Sequence, residues 1–206
     1  MKIVPLFLDE NNPVVGQQIR NSGKQALWDE RSSDIIDVIV IHYISAVAIS
    51  PQKPFNKKKI LQIFSDYGVS SHFLINRSGT VINLVPVEKK AWHCGGSIMP
   101  EPDRRTGVND FSIGIELIAT DYSGFTFKQY HALCELCCGL EYKFQRNFTY
   151  TGHENVAGDE AVSLGLRNQK KNDPGETFKW EYFFKCLERR RKMGRSGDLH
   201  LSIIDQ

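Results

Sequence analysis

Apolar residues along this chain fall into two rhythms. The runs "IDVIVIHY" (36–43) and "FSIGIELIAT" (111–120) are apolar and rich in β-branched residues. Neither alternates as a half-exposed strand does, so each predicts a strand covered on both faces. "SSHFLINRSGTVINLVP" (70–86) predicts a hairpin, two β-rich runs around an Arg-Ser-Gly turn, and "NFTYTGH" (147–153) predicts a short last strand broken by Gly152, with His153 just beyond. The second rhythm, near 3.6 residues, marks helices. "NKKKILQIFSDYG" (56–68) opens on an N-cap asparagine and closes on a glycine, with Ile60, Ile63 and Phe64 on one stripe. "TFKQYHALCELCCGLEYKF" (126–144) carries Tyr130, Leu133, Cys134, Cys137 and Leu140 at helical spacing. Thr177 is the expected cap of a last helix, "FKWEYFFKCLERRRK" (178–192), whose apolar face is Trp180, Phe183, Phe184 and Leu187. Strands and helices interleave along the whole chain, which predicts one mixed α/β domain.

Composition narrows the setting. At 206 residues, 41% hydrophobic and 24% charged, the chain has the make-up of a soluble globular domain. A net charge of +2 does not single out nucleic acid or an acidic membrane surface as a partner. No apolar run approaches the roughly 18 residues of a membrane span. The start, "MKIVPLFLDENNPVV", is too short and too acidic for a secretory signal, so none is expected. Five cysteines, an odd number at low density, favour reduced thiols in a cytosol. The run "ERRRKMGR" (188–195) is expected to be a solvated helix end leading into a frayed tail.

The tempting local signals are weak. His131-x-x-Cys134-x-x-Cys137-Cys138 has metal-like spacing, but its cysteines fall on an apolar helix stripe, where free Cys behaves as a small buried hydrophobe. Phosphate loops, zincin helices and nucleophile elbows are absent. Glu116 is the strongest single hint, because an acid within "IGIELI" must be paired or must line a cleft. Taken singly, His42 and His153 read as structural histidines, and Asp173 in Asp-Pro-Gly reads as turn chemistry. Together, two histidines and an aspartate supply the nitrogen and oxygen ligands of a catalytic zinc site with an open fourth position. A carboxylate can then take a proton and a lysine can hold a negative oxygen. Lys171, two residues before Asp173 on an extended segment, projects to the same side.

Five ordered segments carry a family resemblance: "IDVIVIHYIS", "VSSHFLINRSGTVINLVPVEKKAWHCGGS", "NDFSIGIELIATD", "TGHENVA" and "KNDPGETFKW". They resemble the zinc-dependent N-acetylmuramoyl-L-alanine amidases of the type 2 amidase and peptidoglycan-recognition-protein fold. The resemblance implies a mixed central β-sheet flanked by helices. The expected organisation is an N-terminal extension (1–30) packed on a catalytic domain (31–190), followed by a tail (191–206). It implies one Zn2+ on His42, His153 and Asp173, Glu116 activating water, and Lys171 steadying the oxyanion. Trp92, His93 and Asn109 match positions bordering the substrate groove. His72 is assigned a structural role, and His131 and His200 match nothing functional.

The implied reaction is hydrolysis of the amide between N-acetylmuramic acid and L-alanine in muropeptides or peptidoglycan fragments, including 1,6-anhydro forms. A cytoplasmic monomer is expected, without nucleic-acid or membrane partners. The alternatives are a non-catalytic peptidoglycan-binding module and a wall-lytic amidase acting on polymeric peptidoglycan. One departure from the family lies in "ENVAGDEAVSLGLRNQKK" (154–171), which is longer than the usual connection and lacks its Pro-Gly-Arg or Pro-Asp-Arg step. It is expected to form an extra short helix over the groove. Arg104 and Arg105 in another variable loop are expected to be solvated.

Overall fold

In a computed structural model, which describes residues 2–195, the two uninterrupted apolar runs lie side by side near the middle of one sheet. His200 and the tail beyond residue 195 lie outside the described residues. The strands are β1 (Ile3–Pro5), β2 (Trp28–Glu30), β3 (Val38–Ile44), β4 (Phe73–Ile75), β5 (Val81–Asn83), β6 (Lys89–Ala91), β7 (Ser112–Ile118) and β8 (Thr149–Gly152). The helices are α1 (Gly16–Asn21), α2 (Lys57–Tyr67), α3 (Phe127–Phe144), α4 (His153–Val156), α5 (Asp159–Ser163) and α6 (Trp180–Arg195). A six-stranded sheet has the order β1-β5-β4-β7-β3-β8, and β2 and β6 form a separate pair. The strands β4, β7, β3 and β8 are mutually parallel, whereas the predicted hairpin sets β5 antiparallel to β4.

Residue alternation along β3 and β7 sends each run into two different environments. Ile39, Ile41, Ile113, Ile115 and Leu117 join Leu133, Cys134, Cys137 and Leu140 of α3 and Phe183 and Leu187 of α6 in one core. The cysteines of α3 are therefore packing residues. On the opposite face, Leu74 and Ile82 meet Ile19 of α1 and Ile60, Leu61 and Phe64 of α2. Val38 and Val40, on that same face, meet Cys94, Met99, Val108 and Phe111 from the connection between β6 and β7. Full burial of each such aliphatic side chain contributes about 1.5–3 kcal/mol.

Local chemistry sets the helix ends. The Asn56 side chain accepts from the Lys59 N–H, and Thr126 forms a capping box with Gln129. Gln129 is fully buried, and its amide also donates to the Ile75 and Ile118 carbonyls, fastening α3 to the ends of β4 and β7. Thr177 does not cap α6. The Phe178 N–H instead closes a turn on the Gly175 carbonyl, and the helix begins at Trp180. Phe184 is 43% exposed rather than part of the buried face. The basic run is not simply solvated, since Arg191 Nε donates to Glu141 of α3 at 2.9 Å.

The region before residue 31 is woven into the fold. β1 extends the main sheet beside β5, and β2 pairs with β6. Arg31 then enters the interior. Its guanidinium donates to the carbonyls of Val87, Asn109, Asp110 and Ser112 at 2.8–3.2 Å and lies 2.9 Å from His72 Nε2. Burial pushes its pKa down to about 10, against the opposing charge of Asp110. His72 is fully buried. Its Nδ1 accepts from the Gly114 N–H, its Nε2 donates to the Lys89 carbonyl, and burial together with the Arg31 charge pushes its pKa down to about 3.

A neutral His72 makes stability depend on pH. Its folded pKa lies below the ordinary value of 6.5, so the unfolded chain takes up the proton first and stability is lost as pH falls below about 6.5. Between pH 7 and pH 5 this one group removes about 2 kcal/mol. Urea unfolding at the two pH values is expected to show the loss. His72→Gln is expected to start less stable at pH 7 and to lose correspondingly less on acidification.

Candidate metal centre

Sites in sheets of parallel strands form beyond the carboxyl ends of the strands, and the polar residues of this chain gather there. His42 lies near the end of β3 and Glu116 is its register partner on β7. Both project to the face that also carries Leu74 and Ile82. They stand between the α1–α2 cluster and the cluster beneath residues 94–111. His153 is the first residue beyond β8.

Asp173 arrives from a segment that is pinned to His153. The Glu154 N–H donates to the Asp173 carbonyl at 2.8 Å, and the Glu154 carboxylate accepts from the Gly175 N–H at 3.1 Å. Gly152 makes the approach possible, because a Cβ there would sit 2.8 Å from Pro174 Cδ. "TGHE" and "DPG" are thus two halves of one joint.

The result is a close trio. His42 Nδ1 lies 3.0 Å from Asp173 Oδ2, and His153 Nδ1 lies 3.1 Å from both Asp173 oxygens. Ligand atoms of the three residues all lie within 4.8 Å of one another. Both imidazoles are buried, at 1% and 5% exposure. Burial, followed by the neighbouring His153, pushes the His42 pKa down to about 4. Burial opposes ionisation of Asp173, but the two imidazoles outweigh it and hold the carboxyl below its usual range.

This donor set fits a metal ion. His153 Nε2 lies 3.3 Å from the Cys94 carbonyl, which can only accept, so the ring carries a proton on Nε2. That leaves Nδ1 facing the Asp173 carboxylate. That place takes either a second proton or a metal cation. Two imidazole nitrogens and a carboxylate oxygen are the ligand types of a catalytic zinc site. Among the described residues, a second close group, His42, His93 and Cys94, shares His42 with the first. Among the described residues, neither group includes His131.

Glu116 is half-buried, but its Oε2 is shut off from solvent and has no hydrogen-bond partner among the described residues. Burial, then the Asp173 charge, raises its pKa well above the ordinary carboxylate value, and the charge of Lys171 acts in the opposite direction. The Lys171 N–H donates to the Ala157 carbonyl at 2.9 Å, which fixes its backbone beside α4 while the residue stays exposed.

The remaining candidates are placed less directly. Trp92 is half-buried, donates from its indole to Asp29 at 2.9 Å and lies under the Lys24 ammonium. His93 is buried against His42, with its two ring nitrogens facing His42 and Ser112. Asn109 Oδ1 accepts the N–H groups of His93 and Cys94. The long connection contains the helix α5, and Arg167 beyond it donates to the carbonyls of Cys94 and Gly96. Arg104 and Arg105 are ion-paired, to Glu160 and Glu101 and to Asp37 and Asp103. Sequence reasoning missed Arg31, Ser112, Gly114 and Arg167. Of these, Ser112 and Gly114 left a trace, as small residues at alternate positions before Glu116 on one face of β7.

The N-acetylmuramoyl-L-alanine amidase family, Amidase_2, matches residues 31–176, and the chain belongs to that family. Its sequence is similar to the 1,6-anhydro-N-acetylmuramyl-L-alanine amidase AmpD of Citrobacter freundii, with 38% identity over 115 residues. That match takes in 56% of this chain and 55% of the relative, so the chain spans about half the length of the first curated relatives it matches. Among solved structures, a crystal structure of AmpD is similar at a TM-score of 0.63 and 31% identity, over 78% of this chain and 89% of that one. AmiD of Escherichia coli, solved with the substrate anhydro-N-acetylmuramic acid-L-Ala-D-γ-Glu-L-Lys, is similar at a TM-score of 0.56 and 26% identity, over 76% and 60%. The mixed sheet flanked by helices is the type 2 amidase fold.

The joint at Gly152 is open to a direct test. Gly152→Ala drives a methyl group into Pro174 and moves Asp173 from the histidines. Zinc affinity, measured by chelator competition, is expected to fall about tenfold or more, comparable to losing an outer-shell support.

Proposed function

We propose that the protein is a zinc amidohydrolase cleaving the amide between N-acetylmuramic acid and L-alanine in soluble muropeptides. The observation that carries this reading is the unpartnered, solvent-shielded Glu116 Oε2 beside the His42, His153 and Asp173 trio. An unsatisfied buried carboxyl oxygen is costly, and proton transfer accounts for its retention. The three ligand residues would hold one Zn2+. Bound there, zinc supplies Lewis acidity, polarising a carbonyl and making water more acidic.

The protein's own groups then divide the work. Glu116 receives a proton from the attacking water as the new C–O bond forms, and delivers it to the alanine nitrogen as the C–N bond breaks. Its raised affinity for a proton suits a group that must take one and give it back. Lys171 sets its ammonium towards the oxygen that becomes negative. Trp92 borders the groove, with His93 and Asn109 behind it.

The muropeptide substrate is supported by the activity in the AmpD name and by the ligand in the AmiD complex. Five free cysteines support a reducing cytoplasm as the setting. Action as a monomer is part of the proposal. No helix among the described residues is long and apolar enough to cross a membrane. Residues 31–190 are taken as the catalytic unit and 1–30 as an extension integrated with it.

Two measurements test the proposal. Glu116→Gln is expected to retain one equivalent of zinc and to lose about a hundredfold to ten-thousandfold in turnover. Anhydro-muropeptides and intact sacculi, digested side by side, are expected to show release of stem peptide from the soluble substrate and none after chelation. Binding without release would identify a recognition module, and preferential release from sacculi a lytic amidase.

A further inference from the structure

The trio works as a metal site only when both histidines turn Nδ1 lone pairs to the same point, so something must hold protons on their opposite nitrogens. We infer that His93 and Ser112 are positioning residues that fix the tautomer of His42, in a cradle built around the adjacent residues His93 and Cys94. This rests on the zinc reading above.

Proton placement follows from a fixed starting point. The Val108 carbonyl can only accept, so the Ser112 hydroxyl, 2.6 Å away, donates to it. That hydroxyl has one proton, and its oxygen therefore faces His93 Nε2, at 3.3 Å, as an acceptor. His93 accordingly carries its proton on Nε2 and offers a lone pair at Nδ1. His42 Nε2, 3.0 Å from that lone pair, donates to it. What remains on His42 is the Nδ1 lone pair, 3.0 Å from Asp173 Oδ2. The Cys94 thiol, 3.1 Å from His93 Nδ1, is a weak second donor to the same lone pair.

The neighbouring residue performs the same service for His153. The Cys94 carbonyl accepts from His153 Nε2 and from Arg167. Asn109 Oδ1 holds the backbone of both cradle residues, accepting from the His93 N–H at 3.2 Å and the Cys94 N–H at 2.8 Å. Gly114 provides the space, since a Cβ there would lie 2.5 Å from His93 Cγ. Four residues of "NDFSIGIEL" thereby have roles at the site. Asn109 holds the cradle, Ser112 orients His93, Gly114 admits its ring and Glu116 faces the trio.

The test reads proton positions and metal affinity rather than turnover. In the zinc-loaded full chain, long-range 1H–15N imidazole spectra are expected to show His42 metal-bound at Nδ1 and protonated at Nε2, with His93 protonated at Nε2. Ser112→Ala removes the acceptor for His93. Its zinc affinity, by chelator competition, is expected to fall about tenfold to a hundredfold, and the His93 signals to leave the single Nε2–H form. Coordination of His42 through Nε2, or wild-type zinc affinity in Ser112→Ala, overturns the inference. If Ser112→Ala fails to fold, the wild-type spectrum decides alone. A chain that takes up no zinc removes the metal reading and this inference together, whereas a zinc-loaded chain with the wrong tautomer overturns the inference alone.

Discussion

The register between β3 and β7 is the constraint on which the site depends. Pairing His42 with Glu116 puts an imidazole and a carboxylate on one face, at the end where β8 delivers His153. A slip of one residue between the two strands would put His42 and Glu116 on opposite faces and turn one of them into the core shared with α3 and α6. Seven paired positions, with Ile39, Ile41, Ile113 and Ile115 buried on that opposite face, make such a slip unfavourable. Hydrophobic packing on one side of the sheet thus fixes chemistry on the other.

Around that row, polar groups are buried in partnership. His72 is satisfied by Gly114 and Lys89, Arg31 by four carbonyls, and Gln129 by the ends of β4 and β7. Each partnership joins segments distant in sequence, so the buried polar groups also decide how loops and strands meet. Glu116 Oε2 departs from this pattern among the described residues. An unsatisfied atom amid satisfied ones marks where the fold leaves room for something else.

The long connection before Asp173 is docked rather than loose. Leu166 approaches Gly96 so closely that a Cβ on the glycine would strike the Leu166 carbonyl, and Arg167 fastens to the same loop. Arg104 reaches α5 through Glu160. This connection and the loop after β6 are therefore fastened together, at the same Cys94 carbonyl that accepts from His153 Nε2. Residues 154–171 thus have a physical connection to the trio.

Much of this was legible in the sequence, because local signals carry local structure. Unbroken β-branched runs identified the central strands, Asn56 announced a helix start, an apolar stripe marked α3, and an acid inside "IGIELI" marked the face that bears the site. The short elements β1, β2, β6, α1 and α4 escaped notice, since three to six residues hold too little periodicity and their form comes from pairing with distant segments. Likewise, Thr177 looked like a cap until the turn on Gly175 moved the helix start to Trp180. Residue types alone nominated His42, His153 and Asp173, separated along the chain by 111 and 20 positions. Only the tertiary structure decided which nitrogen of each histidine faces Asp173, because a tautomer depends on the acceptor opposite it. Those acceptors, His93 and the Cys94 carbonyl, are brought into place by the fold.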